Sequence, residues 1–222
     1  MERITTLAQL EAAIDRIGFL PYAGDEKKSL FTLEGMTDNA WFTGLDSDPW
    51  EWRRAIAEKG EQAYGKFFGG KAGFVSKECI PAFIAARRDN RSFEELYADG
   101  LISRDAKRVW EQFSMRFIWT HQELKAAAGF DGQSRAFDAA LGELQGLFFL
   151  CVPGQSRRIN KKGEPYGWLC NDFARMDVLF PVEEDDEMQR GEGEEYLMDC
   201  IRAMGEFDEK AARRLIRAGG IL

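Results

Sequence analysis

The chain has one histidine and four cysteines in 222 residues, and no two cysteines share a Cys-x-x-Cys spacing. Cys79, Cys151, Cys170 and Cys200 are therefore expected as buried, reduced thiols, and no metal site is expected. Long apolar runs are also missing. None approaches the roughly 18 residues of a membrane span, and Met1-Glu2-Arg3-Ile4 lacks the apolar core of a signal peptide. The expectation is a cytoplasmic protein with no membrane partner. Positive charge is in deficit, with 30 Lys and Arg against 38 Asp and Glu and a net charge of −8. This excludes a protein that coats DNA or acidic membranes through bulk electrostatics, so any nucleic-acid contact must come from a local basic patch. No cofactor is expected.

What the chain does hold is apolar mass. Its hydrophobic share is 45%, with six Trp and 17 Phe, enough for a full core without metals or disulfides. Leu7, Leu10, Ile14 and Ile17 recur at helical spacing before Gly18, which predicts a helix over 6–17, and Phe19-Leu20-Pro21-Tyr22 leaves it extended. Asp25 to Lys28 reads as a solvated loop, and Ser29 to Leu33 as a short strand or turn. Asp48 before Pro49 marks a helix start running to Gly60. Tyr64–Phe68 and Ala72–Val75 form a hairpin at Gly69-Gly70. Ser76 is expected to cap the next helix, whose inner face carries Ile80, Phe83 and Ile84. Arg87 and Arg88 then suit its negative end. Ser92-Phe93-Glu94-Glu95 is a capping box, and Ser103 opens a further helix with Val109, Trp110 and Phe113 as its stripe.

The densest cluster of signals runs from Thr120 to Pro181. A capping box at Thr120-His121-Gln122-Glu123 starts a helix with Leu124, Ala127 and Ala128 facing inward. Ser134 caps a second helix, ending at Gly146. A strand over Leu147–Val152, a basic tip over Arg157–Gly163 and a return strand over Tyr166–Cys170 follow. The order is that of a winged helix-turn-helix. The fold class is α+β, mostly helical, with an amino-terminal helical region containing a small β-hairpin. Three segments are expected: that region over 1–102, the winged helix over 103–182, and an acidic linker with a helical tail over 183–222. The linker is drawn from Glu183 to Glu195, and the tail helices over Tyr196–Met204 and Asp208–Ala218.

Candidate binding residues follow from that layout. Arg157, Arg158, Lys161 and Lys162 place four cations in six residues, where long side chains can reach a phosphate backbone. Gln133 and Arg135, at the amino end of the second helix, are positioned for base edges. Double-stranded DNA is the expected partner, with a protein partner as the alternative. His121 has no second ligand or nucleophile nearby and is expected on the surface. Gly65-Lys66-Phe67-Phe68-Gly69-Gly70-Lys71-Ala72 approaches a P-loop but lacks the Ser or Thr that holds magnesium, so a glycine hairpin is expected. Trp41, Trp50 and Trp52 beside Asp46, Asp48 and Glu51 read first as core packing and second as a base pocket.

Three blocks carry a family resemblance: Asp15-Arg16-Ile17-Gly18-Phe19-Leu20; Tyr64 to Phe74 with Glu78, Pro81 and Arg87-Arg88; and Leu141 to Gly146 with Trp168 to Pro181. Together they resemble the AlkZ and YcaQ group of winged-helix DNA glycosylases, which excise alkylated or crosslinked bases, and more closely the bacterial AlkZ-related proteins. The resemblance implies a Gln-x-Gln or Gln-x-Asp after the Gly-hydrophobic-hydrophobic step, to activate water at the glycosidic carbon. Here those positions read Pro21-Tyr22-Ala23. The expectation is a DNA-binding protein on that scaffold, non-catalytic or diverged. One alternative is a glycosylase using Asp46, Asp48 or Glu51, and another is a protein-interaction winged helix.

Overall fold

The computed structural model describes residues 3–23, 31–160 and 162–221. The expected loop over Asp25–Lys28, Ser29 and Leu30 of the expected Ser29–Leu33 strand or turn, and Lys161 lie outside the described residues. The fold is α+β and about half helical, with two small antiparallel sheets among the described residues.

Helix α1 (Leu7–Ile17) turns at Gly18 into strand β1 (Phe19–Pro21). A short helix α2 (Leu33–Met36) and helix α3 (Pro49–Lys59) lead to the hairpin of β2 (Gln62–Phe68) and β3 (Lys71–Ser76). The first sheet has the order β1-β3-β2, with Leu20 opposite Phe74 and Tyr64 also opposite Phe74 on the other side. The capping role expected of Ser76 is not observed. Its hydroxyl is buried without a partner, because β3 runs into a 3-10 turn (Lys77–Cys79) before helix α4 (Ile80–Arg88) begins. Helix α4 is buried on nearly every side rather than on one face.

Helices α5 (Phe93–Ala98) and α6 (Arg104–Trp110) start at Ser92 and Ser103, whose hydroxyls accept from the backbone as expected. Then come β4 (Ile118–Thr120), α7 (His121–Ala127) and α8 (Ser134–Gly146). Two expectations fail here. Ala127 is exposed while Leu124 and Ala128 are buried. Ser134 lies inside α8 and makes no cap bond, because its hydroxyl accepts from Lys125 Nζ at 2.6 Å.

The expected strand over Leu147–Val152 shortens to β5 (Leu150–Cys151). Leu147 and Phe148 instead unwind the end of α8, with Phe148 at a left-handed φ of 58°, so its ring stacks on Phe67 and Phe83. Strands β6 (Gln155–Ile159) and β7 (Pro165–Arg175) form the second hairpin: β6 occupies residues expected in the turn and basic tip, and β7 extends the expected return strand at both ends. β7 pairs with β4, β5 and β6, which ties the whole second sheet to one strand.

After α9 (Met176–Leu179) the acidic stretch is only partly a loop. Helix α10 (Arg190–Arg202) starts six residues before the expected Tyr196, and α11 (Glu209–Arg217) follows. Glu192 closes a capping box at the start of α10, and Glu194 pairs with Arg217 at 2.7 Å. Those acids stabilise a helix start, where negative charge is favoured. Gly193 is buried against α4, where an added Cβ would lie 2.7 Å from the Ala82 carbonyl oxygen. Leu197, Met198 and Ile201 complete this contact and join a core cluster that runs from Phe19 to Ile216. A second cluster runs from Ile4 to Phe173. No described helix is long and apolar enough to cross a membrane.

Candidate nucleic-acid interface

The second hairpin is built by a strand whose outer face is solvated and by a tip closed on Asn160. Asn160 Oδ1 accepts from the amides of Lys162 at 2.8 Å and Glu164 at 3.0 Å, and Gly163 N donates to Asn160 O. Arg157 and Arg158 are therefore in β6 rather than at the tip. The register shifts between them, with Arg157 opposite Leu169 and Arg158 opposite Tyr166, so Gly167 and Trp168 are extra residues on β7. Gly167 takes a φ of 73°, and Trp168 next to it is 91% exposed. At the hairpin base, Ser156 Oγ donates to Asp172 Oδ2 at 2.5 Å.

Arg157, Arg158 and Ile159 form one wall of a cleft of about 280 Å³, and Thr120 at the end of β4 with His121 and Gln122 on α7 form the other. Arg135, Arg157, Arg158 and Lys162 are exposed, and none pairs with a carboxylate among the described residues. Gln133 and Arg135 are exposed at the start of α8, outside the lining of this cleft. The hairpin arginines thus meet the start of α7.

His121 departs from the surface position expected of it. It is half-buried, edge-on to Phe137 at 5.1 Å between ring centroids, with Nε2 3.7 Å from Asp138. Burial pushes its pKa down, against the pull of Asp138. Glu123, on the same helix, is occupied by Arg116 at 3.0 Å. The turn between α7 and α8 is pinned by Arg108, which donates to Gly129 O at 2.7 Å and lies over the Phe130 ring.

The Pro21-Tyr22-Ala23 segment sits at the end of β1 in an aromatic cluster. The Tyr22 hydroxyl donates to Pro49 O at 2.9 Å, and its ring meets Trp41 at 5.2 Å and Trp50 at 6.2 Å. Burial raises its pKa, so the phenol stays neutral. Trp52 is fully buried and donates from Nε1 to Asp46 O at 2.7 Å. The tryptophans pack, as the first reading of them held.

Asp48 is wholly buried and fully used. Its oxygens accept from Phe42 N at 3.2 Å, Thr43 N at 2.6 Å, Gly44 N at 3.0 Å and Trp50 N at 2.8 Å. Burial alone would raise its pKa, but these backbone amides outweigh it and hold the carboxyl below its usual value. A carboxylate so saturated has no lone pair aimed at solvent for activating water. Glu51 lies 3.4 Å from Arg54. No group of three or more metal-ligating side chains occurs among the described residues.

Two features escaped the sequence reading. Trp168 carried a weak signal, an aromatic in a strand two residues after Tyr166, but its exposure depends on the bulge. Arg87 looked like a helix-end cation and is instead completely buried. Its guanidinium donates to Phe67 O, Gly146 O at 2.9 Å, Ile216 O at 2.7 Å and Leu215 O at 3.3 Å. Burial pushes its pKa down to about 9, still above neutrality.

Comparison with curated proteins and with solved structures returned no match. A family model described as AlkZ related matches residues 4–217.

Proposed function

The chain belongs to the AlkZ-related family, and from that premise we propose that it binds double-stranded DNA on a glycosylase-like scaffold whose base-excision chemistry is lost or diverged. In this reading residues 103–182 are a winged helix. The order α6, β4, α7, α8, β5 and then the β6–β7 hairpin supports it, with β4 and β5 both paired to β7. The hairpin is the wing.

The observation that carries the proposal is the group of exposed cations Arg157, Arg158 and Lys162, without a carboxylate partner among the described residues, beside the exposed Trp168. Arginines elsewhere in the chain commonly hold carboxylates, as Arg175 holds Asp177 and Arg217 holds Glu194. Cations left without partners on a projecting hairpin suit phosphate contacts, and an exposed indole beside them suits contact with a base or sugar. Lys161 belongs to the same group by sequence, and Gln133 and Arg135 extend the contact along α8.

Loss of excision is supported by the aromatic packing of Tyr22 and by the saturation of Asp48. The test is a gel-shift titration with duplex DNA at increasing salt, alongside incubation with DNA carrying alkylated bases. Binding that weakens with salt, without abasic-site formation, is the expected result. Failure to shift DNA at low salt overturns the proposal, and abasic product that disappears in Glu51→Gln restores the glycosylase reading.

A second reading rests on Met115, Phe117 and Ile118, which are exposed beside the β4 edge, together with the net charge of −8. These features suit a protein partner. Co-purification of a partner without any DNA shift supports that reading instead.

A further inference from the structure

Away from the hairpin and the Tyr22 cluster, two nucleophilic side chains meet across the fold. Cys79 closes the 3-10 turn ahead of α4, and Cys200 lies near the end of α10. They are 121 residues apart in sequence, yet their Sγ atoms stand 4.0 Å from each other. Cys79 is 1% exposed, whereas Cys200 reaches the surface in part. Gly18 faces both. A Cβ there would fall 2.4 Å from the Cys79 sulfur and 3.4 Å from the Cys200 sulfur, so the missing side chain is what leaves room for the pair. The other two thiols are different: Cys151 and Cys170 find backbone carbonyls, of Ala174 and Trp168, as their hydrogen-bond partners.

We propose that Cys79 and Cys200 form a reversible disulfide, with Cys200 as the sulfur that meets a hydroperoxide first and Cys79 as the resolving thiol. The asymmetry supports this order. The hydrogen bond to Cys200 and burial both keep the Cys79 proton in place, and the same hydrogen bond lowers the pKa of Cys200. Partial burial of Cys200, and then Asp199, oppose that lowering without cancelling it. The more accessible sulfur is thus the one that gives up its proton more readily, and the thiolate is the reactive form.

The steps balance with hydrogen peroxide as oxidant. Cys200 thiolate attacks one peroxide oxygen, the O–O bond breaks, and the hydroxide released takes a proton to become water. Cys200 is left as a sulfenic acid. Cys79 Sγ then attacks the Cys200 sulfur, the S–O bond breaks, and the departing hydroxyl leaves as water with the Cys79 proton. Two thiols have lost two hydrogens, and one peroxide has become two waters. The sulfurs must close from 4.0 Å to an S–S bond of about 2.05 Å, an approach of about 2 Å. The bond would tie α10 to the turn that leads into α4, and a thiol reductant would release it.

The test uses the full reduced chain, treated with hydrogen peroxide, alkylated under denaturing conditions and mapped by mass spectrometry without reduction. The expected result is loss of two alkylatable thiols out of four, a peptide pair linked through Cys79 and Cys200, and full recovery with dithiothreitol. In Cys79→Ala, oxidation should stop at a sulfenic acid on Cys200 that dimedone traps. In Cys200→Ser, Cys79 should stay alkylatable. Should either variant fail to fold, the wild-type peptide map decides alone. Oxidation of Cys170 ahead of Cys200, Cys200 sulfinate formed with Cys79 still free, or a link found only between two chains overturns the proposal.

Discussion

Asp48 and Arg87 are two single charges that the core has absorbed, and each makes a measurable prediction. The Asp48 carboxylate gathers four backbone amides from a loop and a helix start. Its pKa is depressed on folding, so the unfolded chain binds the proton more tightly. The stability it contributes is present above the ordinary carboxylate pKa of about 3.9 and is lost as pH falls through the folded value. Urea midpoints of the wild type should therefore fall further than those of Asp48→Asn between about pH 6 and pH 2. Equal slopes would remove the assigned role. Arg87 is charged, wholly buried and bonded only to carbonyls, from β2, the end of α8 and α11. Arg87→Ala should cost on the order of 3 kcal/mol or more, because several buried carbonyls lose their donor at once. The measurement is the shift in urea midpoint at unchanged m-value. Sequence reading reached Asp48, since an acid before Pro49 is a local signal. It missed Arg87, whose acceptors lie 20 to 129 residues away.

Among the elements, the β6–β7 hairpin and the α4–α10 contact behave oppositely. The hairpin is a solvated arm, so Trp168→Ala should leave the urea midpoint unchanged and still weaken duplex DNA binding, read by fluorescence anisotropy of a labelled duplex. An unchanged affinity would take Trp168 out of the interface. The α4–α10 contact is close-packed around Gly193, and Gly193→Val would drive a side chain into the Ala82 carbonyl. Such overpacking typically costs about 1–3 kcal/mol. Limited proteolysis should then cut more readily around Glu183–Glu187, ahead of the displaced helix. Helix starts at Ser92, Ser103 and Thr120 were legible because a cap and the amide that donates to it lie within one turn. Ser76 and Ser134 look the same in sequence and fail, since burial isolates one hydroxyl and Lys125 takes the other.

For the molecule as a whole, a net charge of −8 confines any DNA contact to a small patch. Binding should therefore be weak at physiological salt and rest on few phosphates. Replacing both Arg157 and Arg158 by alanine should flatten the dependence of log affinity on log salt by about two units. An unchanged slope would place the contacts elsewhere. The carboxy-terminal helices also belong to this scale. Ile221 N donates to Arg87 O at 3.1 Å, and Gly219 packs so closely on Gly146 that a Cβ there would lie 2.9 Å from the Gly146 Cα. Removing α11 should therefore destabilise α4 and α8, not merely shorten the chain.

By itself the sequence determined the α+β class, the first hairpin, most helix starts and the absent Gln-x-Gln, together with the resemblance that the family match bears out. All of these depend on residues within a few positions of one another, where periodicity, capping and glycine placement act. Only the tertiary structure decided that an acidic stretch begins a packed helix, that Arg87 is interior, that Trp168 is bare, and that Cys79 meets Cys200. Each of those is set by segments distant in sequence. Burial and hydrogen-bond partners there depend on what the chain brings alongside, and no local pattern encodes that.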